Sequence, residues 1–178
     1  MAITTGTLFK KLTHDGVLTP GRALDLGCNT GVDALFIAKN GFTVDAVDAD
    51  PEALKSIPTS QGVTPILSKI EDFKIIEEHY NLVSCQYVLH FLKKEAAHQV
   101  ITNMIAGAIP NGVISFNVLG EKDVWKDKWT TWTREEMDRF LADFPVKVHK
   151  IITEEGMGMT KAGSLKYWHV LNYVLIKK

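Results

Sequence analysis

Short apolar runs alternate with stretches of helical period along this chain. Five runs, 22–26, 43–47, 64–67, 82–85 and 113–117, are brief, nearly continuous and bounded by turn residues. Strands buried on both faces of a parallel sheet have that pattern. Two longer runs, 146–153 and 166–176, follow one another with no helical stretch between them. They predict an antiparallel hairpin at one sheet edge. Helix signals fill the gaps. The stretch 32–39 stops at Asn40-Gly41, and Asp50-Pro51-Glu52 opens a second helix with an acidic N-cap and proline at its first position. From Lys93 onward, Ala97, Val100, Ile101, Met104, Ile105 and Ala108 mark one helical face, and Pro110-Asn111-Gly112 then breaks the chain. Thr133 and Glu136 form a capping box ahead of an apolar face of Met137, Phe140, Leu141 and Phe144. This alternation predicts an α/β fold, a doubly wound and mostly parallel sheet covered by helices. No repeat, low-complexity tract or linker interrupts it, so a single domain is expected over 1–178.

Bulk composition narrows the function classes. With 178 residues and 46% hydrophobic content, the chain can bury a sizeable core without disulfides. Twenty Lys+Arg against 21 Asp+Glu leave no field to steer the protein toward nucleic acid or an anionic membrane. Cys28 and Cys85 are far apart and lack CxxC spacing, so reduced thiols in a cytoplasmic protein are expected. No His/Cys cluster has metal-ligand spacing, and no metal is expected. The start of the chain has no continuous apolar stretch, and no uncharged run is long enough to cross a bilayer.

The turn after the first strand carries the candidate chemistry. A dinucleotide site would read G-x-G-x-x-G there, but Asn29 replaces the middle glycine between Gly27 and Gly31. Asp25 sits just before the turn, where its charge disfavours a pyrophosphate. The same acid suits a ligand with an ammonium group and no phosphate, such as S-adenosylmethionine (SAM). Asp48, at the end of the second strand and seventeen residues past Gly31, is placed to accept both ribose hydroxyls.

Asp25-Leu26-Gly27-Cys28-Asn29-Thr30-Gly31, followed by Ala46-Val47-Asp48, resembles motifs I and II of class I SAM-dependent methyltransferases. Residues 80–92, YNLVSCQYVLHFL, are similar to the family's fourth-strand motif. Residues 109–115 are similar to its L-x-P-G-G turn and fifth strand. The likeness spans roughly 23–117 with order and spacing kept. It implies a Rossmann-like, seven-stranded sheet with an antiparallel last strand, and a reaction that leaves S-adenosylhomocysteine (SAH). It also implies that Asp25, Gly27, Cys28, Asn29 and Gly31 hold the methionine part, and that Asp48 holds the ribose with Ala49 alongside. Ile70 and Glu71 would meet the adenine, while Cys85 and Gln86 would face the sulfonium or the acceptor. Within the superfamily, the short chain and Val88-Leu89-His90-Phe91-Leu92 look most like the tellurite-resistance methyltransferase group. Members of that group carry His and Arg in the loop before the last strand, and the loop 154–164 here has neither.

Methyl transfer from an activated sulfonium needs alignment above all, and a general base only for a hard nucleophile. His90 is the first candidate base and His169 the second; for each, a purely structural role stands as the alternative. Three of the four tryptophans, Trp125, Trp129 and Trp132, lie between the fifth strand and the Thr133 helix. They either wall a substrate pocket or pack a lid onto the sheet, and Met157 and Met159 either line that pocket or fill gaps. No Asn-Pro-Pro-aromatic run follows the fourth strand, which points to a small-molecule acceptor. The rival readings are a catalytically inactive SAM-binding protein and, less favoured by Asn29, a nicotinamide-dependent oxidoreductase.

Overall fold

A computed structural model describes residues 7–58, 62–160 and 163–178. The chain start over 1–6 and Lys161-Ala162 of the loop before the last strand lie outside them. Five apolar runs become parallel strands: β1 (Arg22–Leu26), β2 (Thr43–Asp48), β3 (Val63–Leu67), β4 (Tyr80–Cys85) and β5 (Ala108–Gly120). A two-residue strand, β6 (Thr131–Trp132), adds in parallel to the end of β5. The last two runs form β7 (Val146–Met159) and β8 (Leu165–Lys177), an antiparallel hairpin whose β8 also pairs antiparallel with β5. The sheet order is β3-β2-β1-β4-β5-β8-β7. Seven strands therefore make the main path, as the resemblance implies, and β6 is an eighth off it. The order reverses between β1 and β4, so their C-terminal ends splay apart and open a crevice there.

Helices cover both faces. On one side α1 (Thr7–His14), α2 (Val32–Lys39) and the single turn α3 (Pro51–Leu54) enclose a cluster with Phe9, Leu12, Ile37, Phe42 and Leu82. On the other, α4 (Lys94–Gly107) and α5 (Arg134–Leu141) enclose Leu24, Val83, Ile101, Met104, Phe116 and Tyr173. The caps form as expected. Asp50 accepts the Glu52 and Ala53 N–H groups at 2.9 and 3.4 Å, and Thr133 exchanges both capping-box bonds with Glu136.

Three features differ from the sequence expectation. Helix α1 is new, and its Phe9 packs edge-on against Phe36 and Phe42. Pro110-Asn111-Gly112 does not end an element but forms a bulge inside β5. There the pairing steps from Tyr80↔Ala108 to Leu82↔Val113, and Asn111 takes a φ of 64°. The hairpin also runs further than expected, reaching Met159. Since β5 follows β8 only as far as Leu119↔Val170, the outer ends of β7 and β8 project beyond β5, where β8 is met instead by the β5–β6 connection through the Val124 N–H and Asp123.

Candidate active site

A cleft of about 1060 Å³ opens at the C-terminal ends of β1, β2 and β4, bounded on its far side by the projecting hairpin. Its first wall is the turn after β1. Gly27, Asn29 and Gly31 all have positive φ, at 74°, 50° and 76°, which bends the backbone sharply into α2. A Cβ on Gly27 would stand 2.3 Å from Val88, so only glycine lets this turn lie against the segment after β4. Backbone amides fix the turn to β2. Gly27 and Cys28 donate to the Val47 carbonyl at 2.8 and 3.0 Å, and Asn29 donates to Asp48 Oδ2 at 2.7 Å. Asp50 donates its N–H to Asp48 Oδ1 at 2.9 Å. The Asp48 carboxylate is thereby held at both oxygens, with its remaining lone pairs available to the cleft that it lines.

Asp25 lies deeper. It is buried, and its Oδ2 has no hydrogen-bond partner among the described residues. Burial, with the charges of Asp33 and Asp48 added, pushes its pKa up to about 8, and the Ala34 N–H only partly opposes this. A cation entering the cleft would relieve that cost. The Cys28 thiol is pushed up by burial and by Asp25 and Asp48, so it stays protonated.

The second wall is the segment after β4. Gln86 is held by two side chains, donating to Ser115 Oγ at 3.1 Å and accepting from Asn117 Nδ2 at 3.1 Å. Asn117 Oδ1 accepts the Tyr87 N–H at 2.7 Å, stabilising Tyr87 at a φ of 59°. His90 is buried in a 3-10 turn over Leu89–Phe91, and neither ring nitrogen has a partner among the described residues. Burial, followed by the Lys166 charge, lowers its pKa to about 4, so the ring is neutral at pH 7.

The third wall comes from the β5–β6 connection and the hairpin. Asp123, fully buried, accepts from Lys166 Nζ at 2.5 Å, from the Trp125 N–H at 2.9 Å and from the His169 N–H at 3.0 Å. The Lys166 ammonium lies against both Trp125 and Trp168, 3.6 and 3.8 Å from their ring centroids, at the corner where the two indoles meet edge to face. Both indoles line the cleft.

Of the residues singled out in the sequence, the structure brings Asp25, Gly27, Cys28, Asn29, Asp48, Gln86 and His90 into one cleft. Gly31 shapes the turn without lining it. Cys85 is in register with Leu26 and buried with it in the core on the α4 side, one residue out of phase with the cleft. Ile70 is likewise buried in that core, while Glu71 and Ala49 are exposed and outside the lining. His169 is a packing residue. It covers Gly120 and accepts the Lys122 N–H at 3.2 Å. Only Trp125 of the three clustered tryptophans reaches the cleft; Trp132 is buried and Trp129 packs on Phe91. Met157 and Met159 line it and remain exposed. Tyr87, Asp123, Lys166 and Trp168 were not singled out for the site. Strand alternation carries no sign of partners 43 residues apart.

Sheet order, antiparallel β8 and a cleft at the ends of β1 and β4 define the fold of a class I SAM-dependent methyltransferase. Residues 5–120 match the family model of tellurite resistance protein TehB, and the chain belongs to that family. The crystal structure of TehB from Haemophilus influenzae superposes with a TM-score of 0.77 and 18% identity, over 98% of this chain and 64% of that one. Among curated proteins, hemagglutinin 1 of Eikenella corrodens is 26% identical over 152 residues, 82% of this chain and 49% of its own length. The chain thus spans about half the length of that relative. A ubiquinone biosynthesis O-methyltransferase of Rickettsia canadensis is 24% identical over 176 residues, 90% of this chain and 72% of its own length.

Proposed function

We propose that this chain is a methyltransferase that binds SAM at the carboxylate end of the cleft and a small-molecule acceptor at its aromatic end. The observation that carries this reading is Asp48, fixed by the Asn29 and Asp50 amides beside buried Asp25, whose Oδ2 has no partner among the described residues. Family membership supports it. A phosphate-bearing dinucleotide fits this site poorly, because Asp25, Asp33 and Asp48 line the end where its anion would lie.

When bound, SAM supplies a methyl group already activated on a sulfonium. The chain's own residues bind and align. Asp48 accepts from the ribose hydroxyls, Asp25 and Asp33 match the positive charge of the amino-acid tail, and the Gly27 turn admits close backbone approach. Gln86, held by Ser115 and Asn117, orients the centre of the cleft. Neutral His90 meets the acceptor. The described residues share one sheet, which supports a single methyltransferase domain over the chain. Free Cys28 and Cys85 support a cytoplasmic location, and among the described residues no helix is long and apolar enough to cross a membrane. A formal charge of −1 at pH 7 supports a small acceptor over nucleic acid.

Calorimetric titration with SAM, SAH and NADH tests the reading. The first two are expected to bind at micromolar Kd and NADH not at all. NADH binding without SAM binding would reject the methyltransferase reading in favour of an oxidoreductase.

A further inference from the structure

We propose that Asn117 is a positioning residue for methyl transfer: its buried amide holds Tyr87 and Gln86 in the orientations they present to the acceptor, and ties both to the hairpin. The inference rests on the methyltransferase reading and deepens it at the second wall of the cleft.

Strain comes first. Among the described residues, four other than glycine have a positive φ: Asn29, Glu78, Tyr87 and Asn111. Two are asparagines, which adopt it readily. Tyr87, at 59°, is the aromatic one, and it lines the cleft. A bulky side chain keeps such a conformation only where its surroundings impose it, and residues held in this way cluster at ligand sites. Here Asn117 Oδ1 imposes it, accepting the Tyr87 N–H at 2.7 Å from 30 residues away. The Tyr87 ring then meets Trp168 edge to face, with centroids 6.0 Å apart. Both rings line the cleft, so this contact joins its second wall to its third.

The Asn117 amide, 1% exposed, has its orientation fully determined. The Tyr87 N–H can only donate, so the amide oxygen faces it and Nδ2 faces the other way. The two Nδ2 protons go to Gln86 Oε1 at 3.1 Å and to Asn172 Oδ1 at 3.3 Å. Gln86 is fixed in turn. With its Oε1 facing a donor, its Nε2 faces Ser115 Oγ at 3.1 Å, and one Nε2 proton is left without a partner among the described residues. Gln86 therefore keeps an N–H donor for a ligand in the cleft that it lines.

The far side of the same amide reaches the hairpin. Asn172 stands opposite Asn117 in the pairing of β5 with β8, and opposite Ile152 in the pairing of β8 with β7. It donates to the Ile152 carbonyl at 3.1 Å. A polar row thus crosses three strands and ends on two cleft residues. An asparagine pair kept only to fix strand register would need the Asn117–Asn172 bond alone. Two of the three Asn117 bonds go instead to the segment after β4. That decides for positioning.

The test is fluorine NMR of the SAH complex with 5-fluorotryptophan at the four tryptophans, the Trp168 resonance being assigned through Trp168→Phe. Tyr87→Leu gives the shift that loss of the ring contact produces. Asn117→Leu should move the Trp168 resonance toward that position and leave buried Trp132 where it is. Asn117→Asp keeps an oxygen facing the Tyr87 N–H and should restore the wild-type position. An unmoved Trp168 resonance in Asn117→Leu would overturn the inference. So would an equal movement of Trp132, the mark of a general loss of packing, or an Asn117→Asp spectrum that matches Asn117→Leu. Should neither variant fold, amide hydrogen exchange of the wild type decides: slow exchange at the Tyr87 N–H supports the inference, and exchange as fast as an open loop amide refutes it. Failure of the wild type to bind SAH would instead strike the methyltransferase reading, while fluorine spectra of the free protein still report on Asn117.

Discussion

The two ends of the cleft are built in opposite ways. At the carboxylate end, backbone does the positioning. Three residues of positive φ fall within the five from Gly27 to Gly31, and amides separated by only two and nineteen residues hold Asp48. At the hairpin end, side chains meet across long stretches of chain: Asp123 with Lys166 over 43 residues, Lys122 with His169 over 47, and Asn117 with Asn172 over 55. The first end needs only two adjacent parallel strands to be correct. The second needs the whole sheet, through β8, to be folded. On the proposed function, cofactor recognition would therefore be a local property of β1 and β2, whereas acceptor recognition would be a tertiary property of the hairpin.

That contrast can be broken most forcefully at Lys166. Lys166→Met leaves Asp123 buried without its ion-pair partner, which should cost about 3–5 kcal/mol of stability in urea denaturation. SAH affinity should stay within about twofold under conditions where the variant is folded. A parallel loss of SAH affinity would mean that the two ends are coupled.

A smaller effect sharpens the carboxylate end. Burial raises the Asp25 pKa to about 8 in the folded protein, from 3.8 for an unperturbed aspartate, so the folded protein keeps a proton that the unfolded chain gives up. Stability from this group falls as pH rises from about 4 to 8. The window from pH 7 to 8 isolates it, because His90 is already neutral there. Wild type should lose about 1 kcal/mol across that unit relative to Asp25→Asn, at most about 1.4. Equal pH slopes for the two proteins would show that Asp25 is ionised when folded.

Legibility in the sequence follows the same division. Strand β1 and helix α2 fall within the bounds that pattern alone gives, and the caps at Asp50 and Thr133 form as written, because propensity and turn chemistry are local. Asp25, Gly27, Asn29 and Asp48 were legible for that reason. Cys85 illustrates the limit. Its position at a strand end is right, yet the two-residue period turns it into the core while Gln86, one step on, reaches the cleft. Ile70 and Glu71 sit on a crossover without a helix, where no period fixes the direction of a side chain. Trp168 sits inside an apolar strand run and reads as ordinary sheet; only pairing with the projecting half of β7 brings it over the cleft. Lys166, a charged residue at the start of that run, gives no sign of its buried partner. Nor does Pro110 tell a bulge from a break, since pairing across it depends on β4.

The most direct test of the account is a SAM titration of Asp48→Ala. On the proposed function, losing the carboxylate would remove two charge-assisted hydrogen bonds to the ribose, and affinity should fall roughly 100-fold, about 3 kcal/mol, with the aromatic end intact. Wild-type affinity in that variant would contradict the account, because the carboxylate end would then not be where the nucleoside binds.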